Sequence, residues 1–241
     1  MSGRPSAAFP TTRWTLIASL GSPAGAQRDE ALLELCRAYW QPVYWFIRRC
    51  GHPADSAQDL AQDFFLWLLE KPFLERAEPD RARFRSYLLG GLKHFLSDEW
   101  DRRRALKRGG SHLIPVDLQD AEEHYERSLR DTETPETVFD RRYALTIVHR
   151  ATGELRASMA REGKEELFGK LQGYLPGGSE QVPYAEIAGQ LGTTEGAVRV
   201  TIHRLRRRCR DLIRAEIANL VLDPSDVDSE LQFLIQALSA K

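Results

Sequence analysis

The sequence predicts an all-α fold, with two helical domains joined by an acidic linker. Three observations predict it. Apolar residues recur at three- and four-residue spacing in run after run, the pattern of helices with one buried face. No stretch of useful length alternates apolar and polar residues as a half-buried strand would. Between about 115 and 140 the composition shifts, and Asp, Glu and Thr replace large apolar residues around Pro115 and Pro135. With 241 residues, 42% hydrophobic and 29% charged, the chain can build one large or two small cores.

Taken in order, residues 1–27 read as an N-terminal arm. Positions 1–10 hold Pro, Ser and Gly, and TRWTLIASLG from Thr12 reads as a short helix with Trp14, Ile17 and Leu20 on one face. A first domain follows over 28–111. Its opening helix, from Asp29 to about Arg49, carries Leu32, Leu35, Cys36, Tyr39, Val43, Phe46 and Ile47 at helical spacing, with Pro42 as a candidate kink or interruption. GHPADS at 51–56 reads as a turn ending in a cap, Ser56, for a helix to Glu70 that carries Leu60, Phe64, Phe65, Trp67 and Leu68. Pro72 breaks that pattern. A third helix is expected from about Asp80 to Arg104, with Phe84, Tyr87, Leu88, Leu92, Phe95 and Leu96 on its apolar face. It ends in the basic run 102–108.

The acidic linker occupies 112–140, although helical periodicity already returns at about Pro135 and runs to Arg161, then again from Glu165 to Tyr174. The second domain is expected over 141–222. In it PGGSEQV, 176–182, is a loop, and helices follow at roughly 183–191 and 194–221. A tail, 223–241, reads as a capped amphipathic helix at about 226–239 with Leu231, Leu234, Ile235 and Leu238 on one face. It either docks on its own domain or covers another part of the protein.

The stretch Pro183–Asp211 has the pattern of a helix-turn-helix. Ile187, Ala188 and Leu191 face inward on a short first helix. Gly192 is placed to end it in the left-handed conformation, and Thr193 or Thr194 to cap the next. Ala197, Val198, Ile202 and Leu205 form the second helix's packed face, and small Ala188 and Ala197 are expected at the crossing. The opposite face presents Glu195, Arg199, Thr201, His203, Arg204, Arg206, Arg207 and Arg208. In this geometry the start of the second helix enters the major groove. Glu195 and Arg199 are placed for base edges, and the later arginines for phosphates. The sequence-level candidates for duplex contact are Thr194, Glu195, Arg199, Thr201, His203, Arg204 and Arg207.

Charge and composition exclude other classes. The net charge is −1, so DNA affinity must come from local patches. Cys36, Cys50 and Cys209 form no CxxC pair and sit at no metal-ligand spacing, so neither a disulfide framework nor a zinc site is expected. No apolar run has the length of a signal peptide or a membrane span, and a cytoplasmic protein without a membrane partner is expected. Asp59 and Asp63 lie one helical turn apart, but no Gly-rich phosphate loop, paired His or nucleophile elbow accompanies them. No enzyme activity, catalytic residue, metal or cofactor is expected.

PYAEIAGQLGTTEGAVRVTIHRLRRRCRDLI resembles region 4 of bacterial extracytoplasmic-function sigma factors. SAQDLAQDFFLWLLEK, 56–71, and FRSYLLGGLKHFLSDEWDRRR, 84–104, resemble two helices of region 2 of the same family. The order, region 2, acidic linker, region 4, agrees, and the resemblance covers about 12–222. It implies a promoter-specificity subunit whose partners are core RNA polymerase (β′ coiled-coil, β flap) and promoter DNA. Region 4 would read the −35 element. Region 2 would read and melt the −10 element, holding flipped bases by stacking and basic groups. By position this points to Lys93, His94, Asp98, Trp100, Arg102, Arg103 and Arg104 for DNA, and to Gln58, Asp59, Gln62, Asp63 and Phe65 for polymerase. His94 stands where the family often has Asn, and is equally readable as an ordinary surface residue. Trp100 is as readable as core as it is as a DNA contact.

The chain departs from the family in three places. The acidic DAED of the polymerase-binding helix is Ser56-Ala57-Gln58-Asp59 here, two acidic positions being neutral. Ser56 then reads as a plain N-cap, or as a phosphosite that restores negative charge at a helix N-terminus. The KSR of the recognition helix is Arg199-Val200-Thr201, so the sequence read differs. The tail is similar to tails of sigma factors from large-genome bacteria such as planctomycetes, which brings a Ser/Thr kinase, besides an anti-sigma factor, into view as a regulator. The competing reading is a stand-alone helix-turn-helix regulator that never joins polymerase.

Overall fold

A computed structural model describes residues 26–70, 84–105, 133–178, 182–221 and 223–239. The expected short helix at 12–20, the basic residues 106–108 and most of the acidic linker lie outside these. Among the described residues there are helices, turns and connecting segments and no strand, as the sequence predicts. The chain divides into two compact units, Met1–Phe139 with Asn219–Leu222, and Asp140–Ala218 with Asp223–Lys241.

The first unit contains α1 (Ala26–Arg49), α2 (Ala54–Glu70) and α3 (Phe84–Ala105). Its core is aromatic. Phe64 lies with its ring 5.7 Å from Phe95 and 5.5 Å from Phe65. Tyr39 approaches Phe84 at 4.8 Å, and Trp40 stacks on Phe65 at 6.1 Å. Offset and tilted pairs of this kind add to the area they bury. The middle of α1 is apolar on nearly every side and buried accordingly, from Leu35 to Ile47. Pro42 does not interrupt it: the helix runs through the proline to Arg49.

Two expectations for α2 are corrected. The helix begins at Ala54, and Ala57 N–H donates to Pro53 O at 2.9 Å. Ser56 is therefore inside the first turn and not its cap. Pro53 takes the cap position, where its carbonyl accepts the first bond of the helix. Gln62 is 1% exposed. It lies inside the bundle beside Ala61, and Phe65, likewise fully buried, is core.

The second unit is held by α4 (Pro135–Arg161), whose first five residues belong to the first unit. Residues 135–140, expected within the linker, are helical. Tyr143, Ile147, Ala151, Leu155 and Met159 repeat every fourth residue along α4 and are all buried. α5 (Glu165–Leu171) adds Phe168 and Leu171, and a 3₁₀ turn (Gln172–Tyr174) follows. Then come α6 (Tyr184–Leu191), α7 (Glu195–Ala218) and α8 (Val227–Ser239). The tail helix α8 packs on its own unit: Leu234 is buried, and Arg214 of α7 meets Asp228 at 2.5 Å. Asp223 accepts from Ser225 N–H at 2.8 Å and opens the turn before α8.

Arg208 ties α7 to the end of α4. Its guanidinium donates to Glu162 Oε1 at 2.6 Å and to Ser158 Oγ at 3.0 Å. The hydrogen bond from Arg208, then that from Lys164, draws the Glu162 carboxyl down to about 2. A carboxylate depressed on folding adds stability that is present above its ordinary value of 4.5 and is lost as pH falls towards 2. Glu162→Gln is therefore expected to melt at a lower temperature than the wild type at neutral pH. In thermal melts at successive pH values, the gap should narrow between 4.5 and 2.

Candidate nucleic-acid interface

The turn between α6 and α7 follows from two residues. Gly192 has φ 60° and ψ 37°, the left-handed conformation. It lets Thr193 N–H reach Ala188 O at 2.9 Å and Gly192 N–H reach Gly189 O at 3.3 Å. These two bonds satisfy carbonyls left open at the end of α6. Thr194 then caps α7, its Oγ1 accepting from Ala197 N–H at 3.2 Å. A side chain at Gly192 would meet no neighbour, but it would have to adopt the left-handed φ. Gly192→Ala is expected to destabilise this unit by about 1 kcal/mol, read as a lower denaturant midpoint with an unchanged slope.

Val198, Ile202, Leu205, Cys209, Ile213 and Ile217 form the buried side of α7, against Ile187 and Ala188 of α6 and the rest of the unit. Ala197 is exposed. It lies one position off that stripe, whereas Ala188 is buried.

The outward side carries most of the residues expected on it. Thr194, Glu195, Arg199, His203, Arg204 and Arg207 are exposed. Arg199 sits 5.5 Å over the Tyr184 ring and 3.8 Å from Glu195, which pre-positions a side chain that stays two-thirds exposed. His203, Arg204 and Arg207 make no hydrogen bond or ion pair among the described residues. Thr201 is half-buried, and its hydroxyl donates to Ala197 O at 2.8 Å, leaving only its lone pairs for a ligand. Arg206 and Arg208 depart from the expected phosphate role. Arg206 Nε donates to Tyr174 O at 2.8 Å, and Arg208 is bound to Glu162. Both hold the unit together. Arg208 directly precedes the buried Cys209 and lies three residues past Leu205, so its place on the flank of the core stripe was readable. The contact of Arg206 was not, because Tyr174 is 32 residues away.

In the first unit, Trp100 on α3 is 64% exposed and is not core. His94 is also exposed; its Nδ1 lies 3.7 Å from Asp98, and its ring meets Trp67 edge-on at 5.9 Å. Lys93 is occupied by Glu136 at 2.8 Å, and its hydrogen bond lowers the Glu136 carboxyl. α3 continues to Ala105, but the side chains of Arg102, Arg103 and Arg104 lie outside the described residues. On α2, Asp59 is exposed, and Gln58 and Asp63 are half-buried. No group of three His, Cys, Asp or Glu among the described residues could hold a metal, and no described helix is long and apolar enough to cross a membrane.

Residues 180–209 match the family model for sigma-70, region 4. This segment is similar to sigma-70 region 4, and the likeness covers the helix-turn-helix alone. The match spans α6, the Gly192 turn and α7 as far as Cys209. Neither the curated proteins nor the solved structures yield a match. The exposed Arg199, Arg204 and Arg207 all lie inside the matched segment, and so do the internally bound Arg206 and Arg208.

Proposed function

We propose that this chain is an extracytoplasmic-function sigma factor that joins core RNA polymerase and directs initiation at its own promoters. The carrying observation is the region 4 match laid over a helix-turn-helix with a capped, basic, outward-facing second helix. In this reading α7 lies in the major groove of the −35 element. Arg199 and Glu195 face base edges, with Thr194, Thr201 and His203 beside them, and Arg204 and Arg207 hold phosphates. Region 2 function falls to the first unit. Trp100 and His94 meet the melted −10 strand, with Lys93 and Arg102, Arg103 and Arg104 supplying charge.

Gln58, Asp59 and Asp63 on α2 form the polymerase-facing set, and buried Gln62 drops out of it. A phosphate on Ser56, in the first turn of α2, would add charge to this weakly acidic face at a favourable helix end. An anti-sigma factor or a Ser/Thr kinase would act on these same surfaces.

The experiment is transcription by core polymerase with and without the purified chain on fragmented genomic DNA, with the protected promoters sequenced. Specific transcripts that require the chain support the reading. DNA binding with no association to core polymerase overturns it in favour of a stand-alone regulator.

A further inference from the structure

The outward face of α7 has a midline that begins with two uncharged residues, Gly196 and Val200. Val198, Ile202, Leu205 and Cys209 are buried and define the inward side. Opposite them, four, three and four residues apart, run Gly196, Val200, His203 and Arg207. Val200 is near the centre of this line, 50% exposed, with exposed Arg199 and Arg204 on either side. The fold gives no reason for it. Half its surface faces solvent, and a β-branched residue is a poorer helix former than the arginines around it.

Gly196 is a second residue the fold does not require. It has no left-handed backbone, and a Cβ there would meet only Thr194 Oγ1 at 3.9 Å. Alanine would fit and would suit the helix better. Together, a missing side chain and an exposed isopropyl group one turn later leave a small patch with no charged or hydrogen-bonding side chain of its own, between exposed Arg199 and Arg204. In the major groove the apolar feature of a base edge is the C5-methyl of thymine.

We propose that Gly196 and Val200 form a slot for the 5-methyl group of one thymine, so that thymine is specified at one position of the duplex that α7 reads. The inference rests on the reading of α7 as a duplex reader and adds to it which base is chosen and by which side chain. Arg199 and Arg204 supply affinity and neighbouring contacts on either side. Val200 supplies discrimination at a single base pair, through contact area alone.

The test uses the full chain and duplexes enriched by it from a random-sequence library. Each thymine of the enriched site is replaced in turn by deoxyuridine, which deletes only the methyl group. One replacement is expected to weaken binding about fourfold, the value of one buried methyl group. Val200→Ala, at an exposed position that leaves the fold intact, is expected to bind thymine and deoxyuridine duplexes equally, at the weaker level. Equal binding of all deoxyuridine duplexes by the wild type overturns the slot while leaving duplex reading in place. So does undiminished discrimination by Val200→Ala, or an enriched site without thymine. Failure to enrich any sequence overturns duplex reading and the slot with it.

Discussion

Trp100→Ala is expected to reduce binding of the chain to single-stranded promoter DNA by about tenfold or more, with no change in thermal stability. The two halves of this expectation come from the same number. At 64% exposure the indole contributes little to the core of its unit, so its loss leaves no cavity. Trp67 is the contrast: 5% exposed and packed on Phe64 and Phe95, it belongs to the core. In the proposed reading, an indole held out in solvent on a helix that runs on into Arg102, Arg103 and Arg104 serves as a stacking platform for a base. Stacking of this kind is worth about 1–3 kcal/mol per base, which is about five- to 150-fold in affinity. Trp100→Phe should retain most of the binding, because any aromatic face stacks. The measurements are fluorescence anisotropy with a labelled single strand and a thermal melt of each variant. Equal binding by the wild type and Trp100→Ala would remove Trp100 from the proposed −10 contacts.

The helices themselves were legible, because each buries a stripe that repeats at three and four residues. In the α6–α7 turn Gly192 was legible to the residue and the cap to one of two threonines, of which the fold uses Thr194: a left-handed φ and a cap need nothing beyond their own neighbours. What was less legible depends on distant chain or on the width of a buried face. Gln62 reads as polar and so as surface, yet a helix covered on several sides carries it inside. Ser56 reads as a cap by residue type, but the turn had already closed on Pro53 O. Lys93 reads as a free cation, and its partner Glu136 is 43 residues on, at the start of α4. In the candidate interface the residue types were legible and their availability was not. Six consecutive positions, Arg204 to Cys209, contain four arginines. Spacing places Arg208 beside the core stripe, but only the fold shows that Arg206 and Arg208 are bound internally while Arg204 and Arg207 stay exposed.

That separation predicts unequal effects within one basic run. Arg204 and Arg207 are exposed and make no ion pair among the described residues, so neutralising them removes cations without releasing a buried partner. Each phosphate left without its cation should lower the dependence of log K on log salt by about 0.9. The double variant Arg204→Ala/Arg207→Ala is therefore expected to lower the slope by about two and to weaken duplex binding to all sequences alike, because phosphates carry no sequence information. At low salt the loss should be largest, at least about tenfold, and it should shrink as salt rises. Arg208→Ala should behave differently. It leaves the Glu162 carboxylate without its 2.6 Å partner, so its first effect is on the melting of the second unit, with the salt slope of the folded protein little changed. Binding isotherms over a salt series, beside denaturant curves for each variant, separate the two outcomes. If Arg208→Ala lowers the slope as much as Arg204→Ala does, the division of the run into bound and free arginines is wrong. The phosphate-facing side of α7 would then have to be redrawn around Arg208.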